Sequence, residues 1–501
     1  MKPYKSGKRC YHIDVVRETA GETQREAYQQ ERKRNRTDGK SMENTQRKTK
    51  QASMTTDLTT GSVTKQLLRF AFPLFASNLL QAIYNVVDMV VVGRVIGGAG
   101  MSAVSVGGEI LHVLTFLAMG FSSAGQVIIA QNVGAGKNEE VRRTIGNLFT
   151  FLLSASVIMS VVCFLLRENI LHWLNVPAES YAFTMDYTVT CITGLFFIYG
   201  YNIVSAVLRG MGDSRRPFLF VAIAAVLNII LDIVFVAGMG MEVFGAALAT
   251  VIGQGVSFVM SLIYLYRRRV SFGFDFKPAS FKLKKDTLLR LMGLGIPMAI
   301  QSAAVNISKI VLTAWVNDCG VVMSAVGGIY SKLNTMLGVV SQAFTTAGSA
   351  MVGQSIGARK YERVPKIMRT NLVCGVAIGV ALSAVIWLFP TQVFELFTGD
   401  EAVLASAALV IGPTIVNFFG AASRNVAFSV INGSGNSRLN LAVALIDGMI
   451  ARVGIAAILG FASGMGCKGF WYGDAIAGFV PILIGMTFYF TGKWKKKEET
   501  P

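Results

Sequence analysis

The chain has 501 residues, of which 52% are hydrophobic and 15% charged, and its net charge is +18. Soluble domains hold about 25% charged residues, so this composition, with a mean hydropathy of +0.51, excludes a soluble protein. The Lys and Arg sit in the tails and between apolar runs, the distribution expected of loops flanking a membrane, and this excludes nucleic acid as a partner.

Residues 1–53 are polar and charged, with no apolar stretch of the kind a signal peptide needs. Their composition predicts disorder. Met54 opens a short polar lead into the first helix and is read as the natural start, with 1–57 as a basic extension. From there apolar runs of roughly 20 residues follow one another, which means membrane helices rather than barrel strands. The spacing predicts twelve, near 67–93, 102–131, 143–166, 184–208, 217–237, 244–266, 288–315, 322–351, 367–389, 402–430, 439–460 and 469–491. The fold class is therefore all-α integral membrane.

The first helix holds Asp88 well inside its apolar run. A charged group near the bilayer centre costs about 2.5 kcal/mol or more, so it must face the protein interior or a wet cavity. The structural reading of Asp88 is a partner for a Lys or Arg; the functional one is a coupling group. Pro73 lies fifteen residues earlier, where its missing N–H can bend the helix. On the fifth helix Asn228 and Asp232 are four residues apart and share a face, and Thr250 lies on the sixth. Two carboxylates, an amide and a hydroxyl are hard oxygen ligands suited to Na⁺ or a shared proton. Buried together, Asp88 and Asp232 should not both stay ionised without a cation. Alternatively, these groups form a hydrogen-bond network that only pins helices together.

Loop charges set the orientation. Lys137, Arg142 and Arg143 follow the second helix, Arg209, Arg215 and Arg216 the fourth, and Arg359, Lys360 and Arg363 the eighth. The connection from Arg267 to Lys285 holds seven basic residues, while the alternate loops carry little beyond Arg94, Arg167 and Lys468. Both termini are thus expected in the cytoplasm.

The chain also repeats itself at an offset of about 223 residues. Met101-Ser102-Ala103-Val104 returns as Met323-Ser324-Ala325-Val326, and Gln131-Asn132-Val133-Gly134-Ala135-Gly136-Lys137 as Gln354-Ser355-Ile356-Gly357-Ala358-Arg359-Lys360. Leu208-Arg209-Gly210-Met211-Gly212-Asp213-Ser214-Arg215 returns as Ile431-Asn432-Gly433-Ser434-Gly435-Asn436-Ser437-Arg438, and Pro73 matches Pro297. Such a parallel duplication predicts two six-helix lobes, 58–266 and 288–492, with a cytoplasmic linker at 267–287 and a basic tail at 493–501. The substrate is expected between the lobes, which rock to alternate access.

Residues from about Leu58 to Lys497 resemble the multidrug and toxic compound extrusion (MATE) transporters. The resemblance rests on Pro73 with Tyr84-Asn85-Val86-Val87-Asp88, on Gln131-Asn132-Val133-Gly134-Ala135, and on Leu208-Arg209-Gly210-Met211-Gly212-Asp213 with its second-half echo. It implies efflux of bulky amphipathic or cationic, drug-like compounds by a monomer in the bacterial cytoplasmic membrane, driven by Na⁺ or H⁺ with no other cofactor. It also implies a first-lobe cation site at Asp88, Asn228, Asp232 and Thr250. One branch of the family carries a Glu on its seventh helix and an Asp on its tenth; this chain has neither, so a second-lobe cation site of that kind is not expected. Tyr84, Asn85, Glu109 and Lys332 are candidates to line the cavity. Lys309, Arg424, Asp447 and Arg452 could line it too, or form internal ion pairs, Asp447 with a basic neighbour foremost.

A lipid or lipid-linked oligosaccharide flippase of the same superfamily is the alternative, and would collect cavity Arg and Lys for pyrophosphate. An enzyme is not expected, because His12, His112 and His172 are scattered, and no GxxxxGK[ST] loop binds ATP. Six cysteines without a CxxC pair are read as small buried hydrophobes rather than a disulfide frame.

Overall fold

The computed structural model describes residues 56–495. The extension read over 1–53, Met54 with it, and the end of the basic tail lie outside the described residues. Among those described, ten helices are long and apolar enough to cross a membrane. In chain order the twelve long helices are α1 (Val63–Ile96), α2 (Gly98–Gly134), α3 (Asn138–Leu165), α4 (Ala178–Gly210), α5 (Arg215–Asp232), α6 (Glu242–Arg267), α7 (Lys285–Asn317), α8 (Val321–Gly357), α9 (Arg363–Leu388), α10 (Ala408–Ser434), α11 (Ser437–Ala462) and α12 (Cys467–Phe490). The more polar α8 and α10 complete two sets of six. No strand occurs among the described residues, as lipid requires of a chain that does not close a barrel. Exposed Phe72, Leu165, Ile310, Trp387 and Leu483 cover the perimeter.

The duplication is visible in the packing. In the first half α2 packs on α4 and α1 on α5; in the second, α8 packs on α10 and α7 on α11. The lobes meet where α2 lies against α7 and α8, and α1 against α8. Turns recur too. Gly97 (φ +86) and Gly320 (φ +105) separate the first two helices of each lobe, a backbone conformation open to glycine and strained for other residues.

The connection between lobes is ordered and held to the first. Asn147 on α3 donates to the Lys284 carbonyl and accepts its N–H, both at 2.9 Å, and Thr150 Oγ1 donates to the Phe281 carbonyl at 2.6 Å. Phe274, fully buried, stacks edge-on against Phe276 and Phe281.

One expectation is corrected, the reading of the cysteines as all unpaired. The proline-bearing helices stay α-helical, α1 through Pro73 and α7 through Pro297. Wider π-helical turns follow Asp232 at Ile233–Gly238 and interrupt α11 at Ile446–Ala451 and Ile458–Ala462. And the cysteines are not all isolated: Cys319, between α7 and α8, is disulfide-bonded to Cys467 at the start of α12. Their separation of 148 residues gave no hint of it; the short α7–α8 and α11–α12 turns meet only in the folded lobe.

Candidate functional site

The first-lobe residues singled out from sequence come together. Asp88 on α1 is 3% exposed, Asp232 at the end of α5 is fully buried, and Asn228 one turn earlier is 3% exposed. Asn228 Nδ2 donates to Thr250 Oγ1 on α6 at 3.4 Å. Gly253 lets α6 approach α5 here, since a Cβ would sit 3.2 Å from the Ala224 carbonyl oxygen. Asn228 and Thr250 line a small cavity of about 10 Å³ with Gln81, Tyr84, Gln254 and Ser257, room for one water or small ion.

Asp88 and Asp232 lie within hydrogen-bond reach of each other, close enough for one to accept a proton carried by the other. Both oxygens of Asp232 and Oδ1 of Asp88 are buried with no hydrogen-bond donor among the described residues, and so is the Asn228 carbonyl oxygen. Neither acid forms an ion pair with a described Lys or Arg. An uncompensated pair of carboxylates in a dry interior is tolerable only with a proton or a cation between them. Tyr84 is half-buried at the cavity, and Asn85, Glu109 and Lys332 are exposed.

The second lobe holds a different arrangement. Arg452 is 2% exposed and lies between Asp447, at 3.5 Å, and Asp474, to which it is hydrogen bonded. Arg424 Nε is 3.7 Å from Asp447 Oδ2, and Tyr330 donates to Asp474 Oδ2 at 3.1 Å. Asp447 thus does find basic neighbours. Asp474 was not singled out from sequence; its one signal is an acid in the first turns of the last apolar run.

At the end of the bundle carrying the basic loops, the repeated motifs cross between lobes. Gln131 donates to the Gly433 carbonyl at 2.8 Å, and Gln354, its repeat mate, donates to the Gly210 carbonyl at 3.2 Å. A Cβ on Gly134 would collide with the Gln354 carbonyl, and one on Gly357 with that of Gln131. The segment before α1 spans both lobes. Thr56 N–H donates to the Met211 carbonyl at 3.0 Å, Leu58 N–H to Gln354 Oε1 at 3.0 Å, and Arg363 reaches the carbonyls of Leu58 and Gly61.

Known proteins share this build. The MatE family model matches residues 73–234 and again 297–458. The chain is 26% identical over 444 residues to the probable multidrug resistance protein YoeA of Bacillus subtilis, covering 88% of this chain and 96% of that one. It is 23% identical over 439 residues to the probable multidrug resistance protein NorM of Thermotoga maritima, covering 87% and 94%. A solved outward-facing multidrug resistance MATE transporter superposes with a TM-score of 0.82 at 21% identity, over 89% of this chain and 99% of that one. A MATE structure in a bent conformation gives 0.80 at 22%, over 87% and 96%. The family model, met once in each lobe, places this chain in the MATE family of multidrug efflux transporters.

Proposed function

We propose that the protein is an antiporter that couples inward movement of Na⁺ or H⁺ to export of bulky amphipathic or cationic compounds by alternating access. The observation that carries this is the buried Asp88–Asp232 pair, three of whose four oxygens have no donor. One positive charge satisfies them, whether a proton shared by the carboxyls or a Na⁺ whose coordination Asn228 and Thr250 help complete. An ion that binds one conformation better shifts the balance between states by that difference in affinity. The π-turn after Asp232 sits where such a shift would reach the backbone.

The basic end is taken as cytoplasmic, as the loop charges require, in a bacterial plasma membrane. The crossed Gln131 and Gln354 contacts then close the protein to the cytoplasm, and inward opening must break them. No cofactor beyond the coupling ion is invoked, and one chain supplies both lobes of the site.

The test is ethidium efflux from cells or vesicles under separate Na⁺ and H⁺ gradients, wild type against Asp88→Asn. Efflux that follows one gradient and is lost in a normally inserted Asp88→Asn protein supports the reading and names the ion. Undiminished gradient-driven efflux in the variant removes the site, and no efflux in either protein shifts weight to the flippase alternative.

A further inference from the structure

The groups that line the core of the second lobe are not accounted for by cation coupling. Lys309 on α7, Arg424 on α10 and Arg452 on α11 face only two acids, Asp447 on α11 and Asp474 on α12. Lys309 is exposed and lies within Coulomb range of Asp474, Arg452 and Arg424. The Arg424 side chain is 22% exposed, while its Nε and Nη2 are buried without hydrogen-bond acceptors. Nε and Nη2 of Arg452 likewise lack acceptors, and both Asp447 oxygens, at 3.5 and 3.7 Å from the two guanidiniums, lack donors. Three cations against two carboxylates leave one positive charge in excess among these groups.

The excess has a counterpart in the other lobe. Helices α1 and α5 carry the orphaned acids Asp88 and Asp232 beside Thr250 on α6; their repeat mates α7, α11 and α12 carry Lys309, Asp447 with Arg452, and Asp474, with Arg424 added from α10. The repeat offset also pairs Glu109 on α2 with Lys332 on α8. One scaffold therefore presents acid in the first lobe and base in the second.

We propose that the second-lobe network is an anion subsite, which holds the single carboxylate of an anionic or zwitterionic amphiphile through Lys309 and Arg424. Arg452, fixed by Asp474 and Tyr330, keeps the field positive behind them. One excess charge matches one carboxylate and falls short of a pyrophosphate. A planar guanidinium with idle N–H groups suits carboxylate geometry. A substrate with an amine and a carboxylate would lie with its positive end toward the first lobe. This reading names a substrate class for the exporter and rests on the export reading above.

The test uses the full chain in lipid nanodiscs with two probes, a rhodamine free acid and its ethyl ester, which differ only in the carboxylate. Fluorescence anisotropy at equilibrium, with no ion gradient, gives the ratio of their affinities. The wild type should prefer the acid by about tenfold, the worth of a charge-assisted hydrogen bond. Arg424→Gln should bring the ratio toward one, and Arg424→Lys should restore part of it. Lys309→Gln, at an exposed position, keeps the test open if Arg424→Gln does not fold. A wild-type ratio of one, or a tenfold ratio untouched by both Gln substitutions, overturns the proposal. Failure of the export reading would show elsewhere, as ester efflux indifferent to ion gradients.

Discussion

Replacing Gln354 with Ala should open the basic end of the bundle. Gln354 is 1% exposed; its Oε1 accepts from Leu58 N–H at 3.0 Å and its Nε2 donates to the Gly210 carbonyl at 3.2 Å. The substitution removes two hydrogen bonds and leaves a buried N–H and a buried C=O without partners. With about 1 kcal/mol for each net bond, rising to about 2 kcal/mol where the abandoned partner stays buried, the closed state loses about 2–4 kcal/mol. Once the lobes part at this end, water satisfies the same groups, so the loss falls on the closed state alone. The equilibrium should then move by about 30- to 1,000-fold toward the open form. Spin labels at Asn138 and Glu362, both exposed and on opposite lobes, read it directly by double electron–electron resonance in a background without the unpaired cysteines. The expected result is a second, longer distance gaining population. Gln131→Ala should do the same, because its Oε1 and Nε2 bridge Arg290 and Gly433 at 2.8 Å each. A distance distribution unchanged in both variants would refute the assignment of these contacts as a gate.

Three further outcomes follow from the structure. Asp447→Asn leaves Arg452 with Asp474 alone and Arg424 with no acid at ion-pair distance, so it should destabilise the protein by about 3–5 kcal/mol. Asp232→Asn removes a carboxylate that has no donor and should be neutral or stabilising; thermal unfolding followed by tryptophan fluorescence would show equal losses for the two if the contrast is wrong. Reducing the Cys319–Cys467 bond should lower the thermal midpoint. The effect should be smaller than the about 5 kcal/mol that chain entropy gives for a loop of 148 residues, because inserted helices stay ordered in the unfolded reference; a midpoint unmoved by reduction, verified by mass, would count against it.

Much of this molecule could be read from residues because lipid makes strong demands. A backbone in hydrocarbon must satisfy itself, so an apolar run of bilayer length announces a helix, and a lone Asp88 or Asp232 within it announces a site. The repeated Gln131 and Gln354 motifs were legible as a duplication but not as a crossing. That Gln131 reaches Gly433 rather than Gly210 is a property of how the lobes face, and no local pattern encodes it. That Asp447 needs a basic neighbour was legible, but that Arg452 is one of them was not. Five residues apart, they do not share a face of an α-helix, and it is the π-turn at Ile446–Ala451 that sets one above the other. Asp474 was hidden by its setting among Gly, Trp and Tyr at the head of α12, where an acid reads as interfacial.

The two lobes also show why a repeat in sequence does not license a repeat in chemistry. The shared offset carries over what the scaffold needs: the Gly97 and Gly320 turns, the glycines where helix ends touch, the prolines at 73 and 297. It does not carry over the charges. At the helices that supply Asp88, Asn228, Asp232 and Thr250 in the first lobe, the second supplies an ion network that already holds its own counter-charges. Burial costs the same on both sides, yet the first lobe leaves its carboxylates unmet while the second offsets its acids with arginine. Only the first can gain by taking up a cation, and only the second has positive charge to spare. Under the proposed coupling, an exporter assembled this way would hold its ion in one lobe and leave the other free for its cargo.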